Sequence, residues 1–238
     1  MLNFLGLGAQ KAGTTWLYAQ LCRHPDIAFP LGKEGHFWNS GQYHPSNMAR
    51  LKEKSIADYA GKFNSGRING EITPAYSVLP AAIIEQIYNI FPHLRLIFIL
   101  RDPIARAWSS ALMAVEMAMM TPDEASDQWF IDHFHSKGSF MRGDYAAALD
   151  NWLKFFPREQ MLLLQYADIA GEPEAILRKV AAHLNINADA LITDKENLRI
   201  RIFAGHPHPL RPTLLPVLQE LYAEPLKRLK NKYGIEFS

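Results

Sequence analysis

A short glycine-containing loop near the N-terminus carries the first candidate chemistry. Gly8 and Gly13 bracket the loop, Lys11 lies between them, and hydroxyl side chains follow at Thr14 and Thr15. An apolar run precedes the loop and a helical pattern follows it. A strand, a glycine loop and a helix in this order direct several backbone N–H groups, and the positive end of the helix dipole, to one point. The stretch therefore predicts an anion site.

The spacing differs from the nucleoside-triphosphate pattern, in which a lysine and then a Ser or Thr directly follow the second glycine. Here Thr14 occupies the position of that lysine, and Lys11 comes earlier. Lys11 can still reach an oxygen of a ligand that lies over the loop. The alternative interpretation is an ordinary strand, turn and helix with a lysine on the surface.

A second charged segment follows the clearest buried-strand pattern of the chain, at residues 94–100. Arg101 and Asp102 come directly after this run, where side chains face the ligand edge of a parallel sheet. Arg101 offers planar, charge-assisted donors that suit a phosphate. Ser109 follows eight residues after Arg101. The segment predicts a phosphate clamp made by Arg101 and Ser109, with a simple Arg–Asp ion pair as the alternative.

Together these segments resemble sulfotransferases that use 3′-phosphoadenosine 5′-phosphosulfate (PAPS). The 5′-phosphosulfate loop of that family is similar to the run Lys11-Ala12-Gly13-Thr14-Thr15-Trp16. Its 3′-phosphate site is similar to the Arg101 and Ser109 pair. The resemblance covers nearly the whole chain and implies PAPS as the co-substrate, adenosine 3′,5′-bisphosphate (PAP) as a product, and no metal ion.

The resemblance also implies a catalytic loop. The run Lys33-Glu34-Gly35-His36-Phe37 is similar to the Glu-Pro-His-Phe segment of the heparan-sulfate-type members, and Gly35 in place of proline is expected to loosen it. Sulfuryl transfer needs a base for the proton of the acceptor and a cation near the leaving oxygen. We expect Glu34 to be the base, His36 to orient it or the acceptor, and Lys11 to supply the cation. A histidine base, as in the cytosolic sulfotransferases, is the alternative.

Weaker signals concern the acceptor and the nucleotide. Three aromatic residues are candidates for acceptor contacts: Trp38, Tyr76 and Tyr145, with a tyrosine packed at a turn as the alternative for Tyr76. Near the C-terminus, Arg201 and Phe203 are candidates for holding a nucleotide phosphate and the adenine. Ile72 stands where glycosaminoglycan-modifying members have a lysine, which disfavours a highly anionic polysaccharide. A small molecule or a glycan remains as the acceptor class.

Apolar runs and helical patterns alternate along the chain. Strands are predicted at residues 4–7, 27–29, 67–72, 94–100 and 161–165. Helices are predicted after the glycine loop and at residues 48–63, 80–91, 104–119, 145–156, 173–184 and 214–233. Residues 121–143 are expected to form short helical pieces and a mobile cover. The order predicts a single α/β domain over residues 1–238, with a mainly parallel sheet between helices.

The net charge, the cysteine content and the lengths of the apolar runs argue against several classes of protein. A net charge of +1 over 238 residues gives no reason to expect a nucleic acid partner. Cys22 is the single cysteine and favours a reducing, cytoplasmic compartment. No signal peptide is evident, and no run approaches the roughly 18 apolar residues that span a bilayer. The histidines show no metal-site spacing, and the oligomeric state stays open.

Two rival functions remain at this stage. A small-molecule kinase on the same framework would need Mg²⁺ and a lysine against the β- and γ-phosphates, and Thr14 occupies that lysine's position. A non-catalytic nucleotide-binding protein of the same fold would bind nucleotide without releasing sulfate.

Overall fold

The protein, as a computed structural model, is described at residues 1–40, 53–192, 198 and 208–237. Within these ranges five parallel strands form one sheet in the order β2-β3-β1-β4-β5. The strands are β1 (Leu2–Gly8), β2 (Ile27–Ala28), β3 (Ile68–Ile72), β4 (Arg95–Leu100) and β5 (Met161–Gln165). This confirms the predicted α/β fold with a parallel central sheet.

Helices connect the strands and cover the sheet. Their bounds are α1 (Thr14–Leu21), α2 (Glu53–Gly61), α3 (Ala81–Ile90), α4 (Pro103–Met117), α5 (Asp127–His135), α6 (Lys137–Met141), α7 (Tyr145–Trp152), α8 (Tyr166–Gly171), α9 (Pro173–Leu184) and α10 (Leu215–Tyr233). The stretch at 121–143 contains α5 and α6, as the expected short helical pieces. The start of the helix predicted at 48–63 lies outside the described residues. In the described ranges, no helix is both long and apolar enough to cross a membrane.

The strand β1 lies at the centre of the sheet, which explains its continuous apolar pattern. A strand covered on both faces needs apolar side chains on both sides rather than in alternation. Leu5 of β1 is opposite Glu71 of β3 and Leu96 of β4. Because the strands are parallel, the segments that follow β1, β3 and β4 leave the sheet at the same edge.

The helix α4 is held in place at its start and along its length. Asp102 caps it, since its carboxylate accepts hydrogen bonds from Ile104 N at 3.4 Å and Ala105 N at 2.9 Å. Such a cap stabilises a helix by about 1 kcal/mol. An apolar cluster that includes Trp108 and Phe130 packs α4 against α5 and α10. The position of Arg101, one residue before the cap, is therefore well determined.

Candidate functional site

The loop after β1 has the shape of an anion site. Gly13 adopts φ 82°, and a Cβ there would lie 2.8 Å from Ile169 Cδ1, so a glycine fits where other residues would be strained. Gly13 is also the N-cap of α1 and provides no side-chain cap. The first amides of a helix have no partner within the helix. An oxyanion above Gly13 would supply the missing acceptor.

Arg101 lies directly against this loop. Its Nη1 donates a hydrogen bond to the carbonyl oxygen of Lys11 at 2.7 Å, across a separation of 90 residues. The guanidinium also stacks over the Tyr166 ring, at 4.7 Å from the ring centroid. The two predicted phosphate contacts, Lys11 and Arg101, are thus brought together at one edge of the sheet.

Both cations lie in partly desolvated surroundings. Burial, and after it the charge of Arg101, lowers the pKa of Lys11. Burial likewise lowers the pKa of Arg101. Without a ligand the site therefore concentrates positive charge in partly desolvated surroundings. An anion between these groups would favour their charged forms.

Other predicted donor-site residues have different surroundings. Thr15 and Ser109 are half-buried, and Thr14 is buried. Ala12 is buried and its amide donates to Ala9 O at 3.2 Å, so it shapes the loop. The Trp16 side chain is buried and its Nε1 donates to Leu198 O at 2.9 Å. The indole of Trp16 therefore belongs to the core, and only its backbone is left to face a ligand.

The predicted catalytic loop forms a chain of polar contacts. Glu34 Oε2 lies 3.1 Å from His36 Nε2, and Glu34 Oε1 accepts a hydrogen bond from Lys33 Nζ. His36 Nδ1 lies 3.2 Å from Asn39 Oδ1. The Glu34 side chain is 32% exposed. Each carboxylate oxygen has a second lone pair, so Glu34 can accept a further hydrogen bond from an acceptor hydroxyl.

Backbone contacts place this loop beside the predicted phosphate loop, which is the glycine loop from Gly8 to Gly13 after β1. Ile72 N donates to Lys33 O at 2.8 Å, which ties the catalytic loop to the end of β3. Thr73 N donates to Gly6 O at 3.0 Å, which ties the end of β3 to β1. Glu34, the phosphate loop and Arg101 therefore follow one another along the same edge of the sheet.

Glu71, at the end of β3, received no role from sequence reasoning. It is fully buried, and its carboxylate accepts from Gly35 N at 3.0 Å, Tyr59 Oη at 2.6 Å and Thr73 Oγ1 at 2.6 Å. Buried carboxylates are rare unless they are paired or hydrogen-bonded. A glutamate within the strand predicted at residues 67–72 was the sequence signal that could have identified this residue.

The interpretation of three aromatic residues as acceptor contacts is corrected here. The side chains of Trp38, Tyr76 and Tyr145 are 2%, 0% and 1% exposed, so they present no surface to an acceptor. They pack in the core, where both tyrosine hydroxyls find hydrogen-bond partners, whereas the Trp38 Nε1 has none among the described residues. Tyr76 Oη accepts from Trp38 N at 3.3 Å, and Tyr145 Oη donates to Arg101 O at 2.8 Å.

The predicted nucleotide contacts near the C-terminus, Arg201 and Phe203, lie outside the described residues, so their assignment stays a prediction. Within the described ranges, no three His, Cys, Asp or Glu side chains are grouped to hold a metal ion. The metal-free expectation also stays a prediction.

Known proteins are similar to this chain in sequence and in fold. The model of the sulfotransferase domain family matches residues 3–201. Heparan sulfate glucosamine 3-O-sulfotransferase 6 of Mus musculus is 28% identical over 195 residues, which cover 79% of this chain and 53% of that protein. The chain thus spans about half the length of that relative.

Two solved structures show the same fold. A sulfotransferase from Alicyclobacillus acidocaldarius superimposes with a TM-score of 0.74 at 23% identity, over 100% of this chain and 97% of that one. Mouse sulfotransferase SULT7A1, solved in complex with PAP, has a TM-score of 0.56 at 16% identity, over 95% of this chain and 85% of that one.

Proposed function

Since this chain belongs to the sulfotransferase domain family, we propose that it transfers a sulfuryl group from PAPS to a hydroxyl or amine of a small molecule or glycan. The observation that carries the proposal is the hydrogen bond from Arg101 Nη1 to Lys11 O. It joins the loop suited to a 5′-phosphosulfate and the arginine suited to a 3′-phosphate at one place. One nucleotide with two separated phosphates fits both.

The residues present suit this donor. The uncapped start of α1, with Thr14, Thr15 and Lys11, would hold the 5′-phosphosulfate. Arg101 and Ser109 would hold the 3′-phosphate. Arg201 and Phe203 remain candidates for a further phosphate contact and the adenine.

In the proposed step, the acceptor oxygen or nitrogen attacks sulfur from the side opposite the 5′-phosphate. The new bond to sulfur forms while the bond between sulfur and the bridging oxygen breaks, and that electron pair leaves with PAP. Glu34 takes the acceptor proton, and His36, 3.1 Å from Glu34, orients the carboxylate or the acceptor. Lys11 stabilises the charge that develops on the bridging oxygen.

The acceptor end of the site argues against a polyanion. Ile72 is fully buried, and a Cβ on Gly6 would lie 2.8 Å from its side chain. The sheet core therefore occupies the place where glycosaminoglycan-modifying members carry a lysine. A small molecule or a weakly charged glycan fits this site better than a densely sulfated chain.

Calorimetry with PAP, and separately with ATP and Mg²⁺, tests the donor. We expect PAP to bind in the micromolar range or tighter without metal, and Lys11→Met and Arg101→Ala to weaken it at least tenfold. Lys62→Met and Arg67→Ala, at exposed positions, serve as matched controls. Binding of ATP with Mg²⁺ but not of PAP would instead support the kinase.

Transfer is then measured with ³⁵S-labelled PAPS and three acceptors: a heparan oligosaccharide, 2-naphthol and a primary alkylamine. Label on at least one of them supports the proposal. PAP binding with no label transferred to any acceptor and no sulfate released would favour the non-catalytic nucleotide-binding protein.

A further inference from the structure

The catalytic loop contains a residue in an unfavourable backbone conformation. His36 has φ 54°, in the left-handed region that non-glycine residues rarely adopt. Such a conformation persists only where the surroundings determine it strongly. Two backbone amides near His36 are held by buried side chains: Gly35 N donates to Glu71 Oε1 at 3.0 Å, and Trp38 N donates to Tyr76 Oη at 3.3 Å.

Glu71 and Tyr76, which accept these two amide hydrogen bonds, are themselves held in place. Glu71 and Tyr76 are each 0% exposed. Glu71 also accepts hydrogen bonds from Tyr59 Oη and Thr73 Oγ1, so both of its carboxylate oxygens accept hydrogen bonds. Burial, and after it the charge of Glu71, raises the pKa of Tyr76, which keeps the phenol protonated. A fully satisfied buried polar network of this kind is rigid.

Glycine at position 35 suits this arrangement. A proline there would have no N–H to donate to Glu71. A Cβ on Gly35 would lie 3.0 Å from Glu71 Cδ and 3.0 Å from Leu31 Cδ1, so even alanine would crowd the contact. The expectation that glycine loosens this loop is therefore corrected, because the Gly35 amide anchors it to a buried carboxylate.

We propose that Glu71 and Tyr76, together called the loop clamp, are positioning residues that fix Glu34 and His36 for proton transfer. The proposal rests on the proposed function, because it assigns the clamp a role in that reaction. Neither clamp side chain is exposed to a substrate, so each acts through the loop. Misplacing a catalytic group by about 1 Å can cost a factor of about 100 in rate.

The variants Glu71→Gln and Tyr76→Phe test the clamp, with Glu85→Gln and Tyr88→Phe as matched controls at positions away from the loop. We expect kcat to fall at least tenfold in both clamp variants, while PAP affinity stays within twofold of wild type. In the Glu34→Gln background, the loss of kcat caused by Glu71→Gln should be smaller than in the wild type, because the part of its effect that passes through Glu34 is already absent. A fully multiplicative loss in the double variant would overturn the proposal.

Amide hydrogen exchange, followed by NMR, gives a readout that does not depend on activity. We expect exchange at Gly35 to accelerate at least tenfold in Glu71→Gln and exchange at Trp38 to do so in Tyr76→Phe, with β1 amides unchanged. If Glu71→Gln fails to bind PAP, Tyr76→Phe decides by the same measurements. Wild-type kcat in a clamp variant that binds PAP overturns the clamp alone, whereas absence of transfer by the wild-type enzyme overturns the proposed function.

Discussion

The Tyr145 hydroxyl contacts both backbone polar groups of Arg101. It donates to Arg101 O at 2.8 Å and accepts from Arg101 N at 3.4 Å. Tyr145 begins α7, so this helix holds the end of β4 at the point where the guanidinium leaves the sheet. A residue expected to contact the acceptor therefore supports the proposed donor site.

Removing this hydroxyl should weaken donor binding. Tyr145→Phe leaves the packed ring in place but deprives the Arg101 backbone of its partner, which costs about 1 kcal/mol. We expect PAP affinity to fall about fivefold, as measured by calorimetry. Tyr88→Phe is the matched control, and unchanged affinity in Tyr145→Phe would show that β4 alone positions Arg101.

The charge on Lys11 should make donor binding dependent on pH. Burial and the Arg101 charge lower the pKa of Lys11 below its ordinary value of 10.5. A bound anion favours protonated Lys11, so PAP affinity should fall as pH rises through the lowered pKa. Calorimetry from pH 7 upwards in two buffers of different ionisation enthalpy would detect proton uptake. Lys11→Met should abolish this dependence and Lys62→Met should retain it.

Stability without ligand should show the opposite trend with pH. The unfolded chain keeps the ordinary lysine pKa, so between the two pKa values it binds more protons than the folded state. The contribution of Lys11 to the free energy of unfolding should therefore rise with pH through the folded pKa, up to the unfolded one. Urea unfolding of wild type and Lys11→Met at several alkaline pH values measures this difference.

Gly13 offers a test of the loop shape with a close control. Gly13→Ala places a methyl group at φ 82°, 2.8 Å from Ile169 Cδ1, whereas Gly66→Ala has a similar φ of 73° with nothing within 4 Å. Both changes should cost about 1–2 kcal/mol of backbone strain. Only Gly13→Ala should also weaken PAP binding, by at least tenfold. If Gly13→Ala and Gly66→Ala changed PAP affinity equally, the contact with Ile169 would have no role in donor binding.

Glu34→Gln tests the base. Without a carboxylate to take the acceptor proton, kcat should fall by at least about 100-fold. PAP affinity should remain unchanged, because Glu34 lies on a different loop from the phosphate contacts. Near-normal turnover of Glu34→Gln, together with an inactive His36→Ala, would move the base to His36.

The proposed donor site could be derived from sequence because its chemistry is local. A glycine loop between a strand and a helix directs its own amides to one point, and an arginine after a buried strand must leave at the ligand edge. The strands could also be predicted from local sequence, because a strand that helices cover on both faces of the sheet has a continuous run of apolar residues.

The supporting residues could not be predicted in this way, because burial depends on neighbours that are distant in sequence. In sequence Tyr76 fits either a pocket-lining or a packed turn tyrosine, and the structure places its hydroxyl inside the core, near Trp38 N and the Glu71 charge. The role of Glu71 similarly depends on Gly35 and Tyr59, which reach it from other elements.

By itself, the order of residues determined the sheet, the glycine loop after β1 and the identity of the charged groups that are proposed to surround a nucleotide. Only the tertiary structure decided which of them meet, because the contact of Arg101 with the Lys11 carbonyl crosses 90 residues and depends on the parallel pairing of β1 with β4. It also decided that the candidate aromatic residues turn inward, since the hydroxyls of Tyr76 and Tyr145 meet backbone partners from segments distant in sequence.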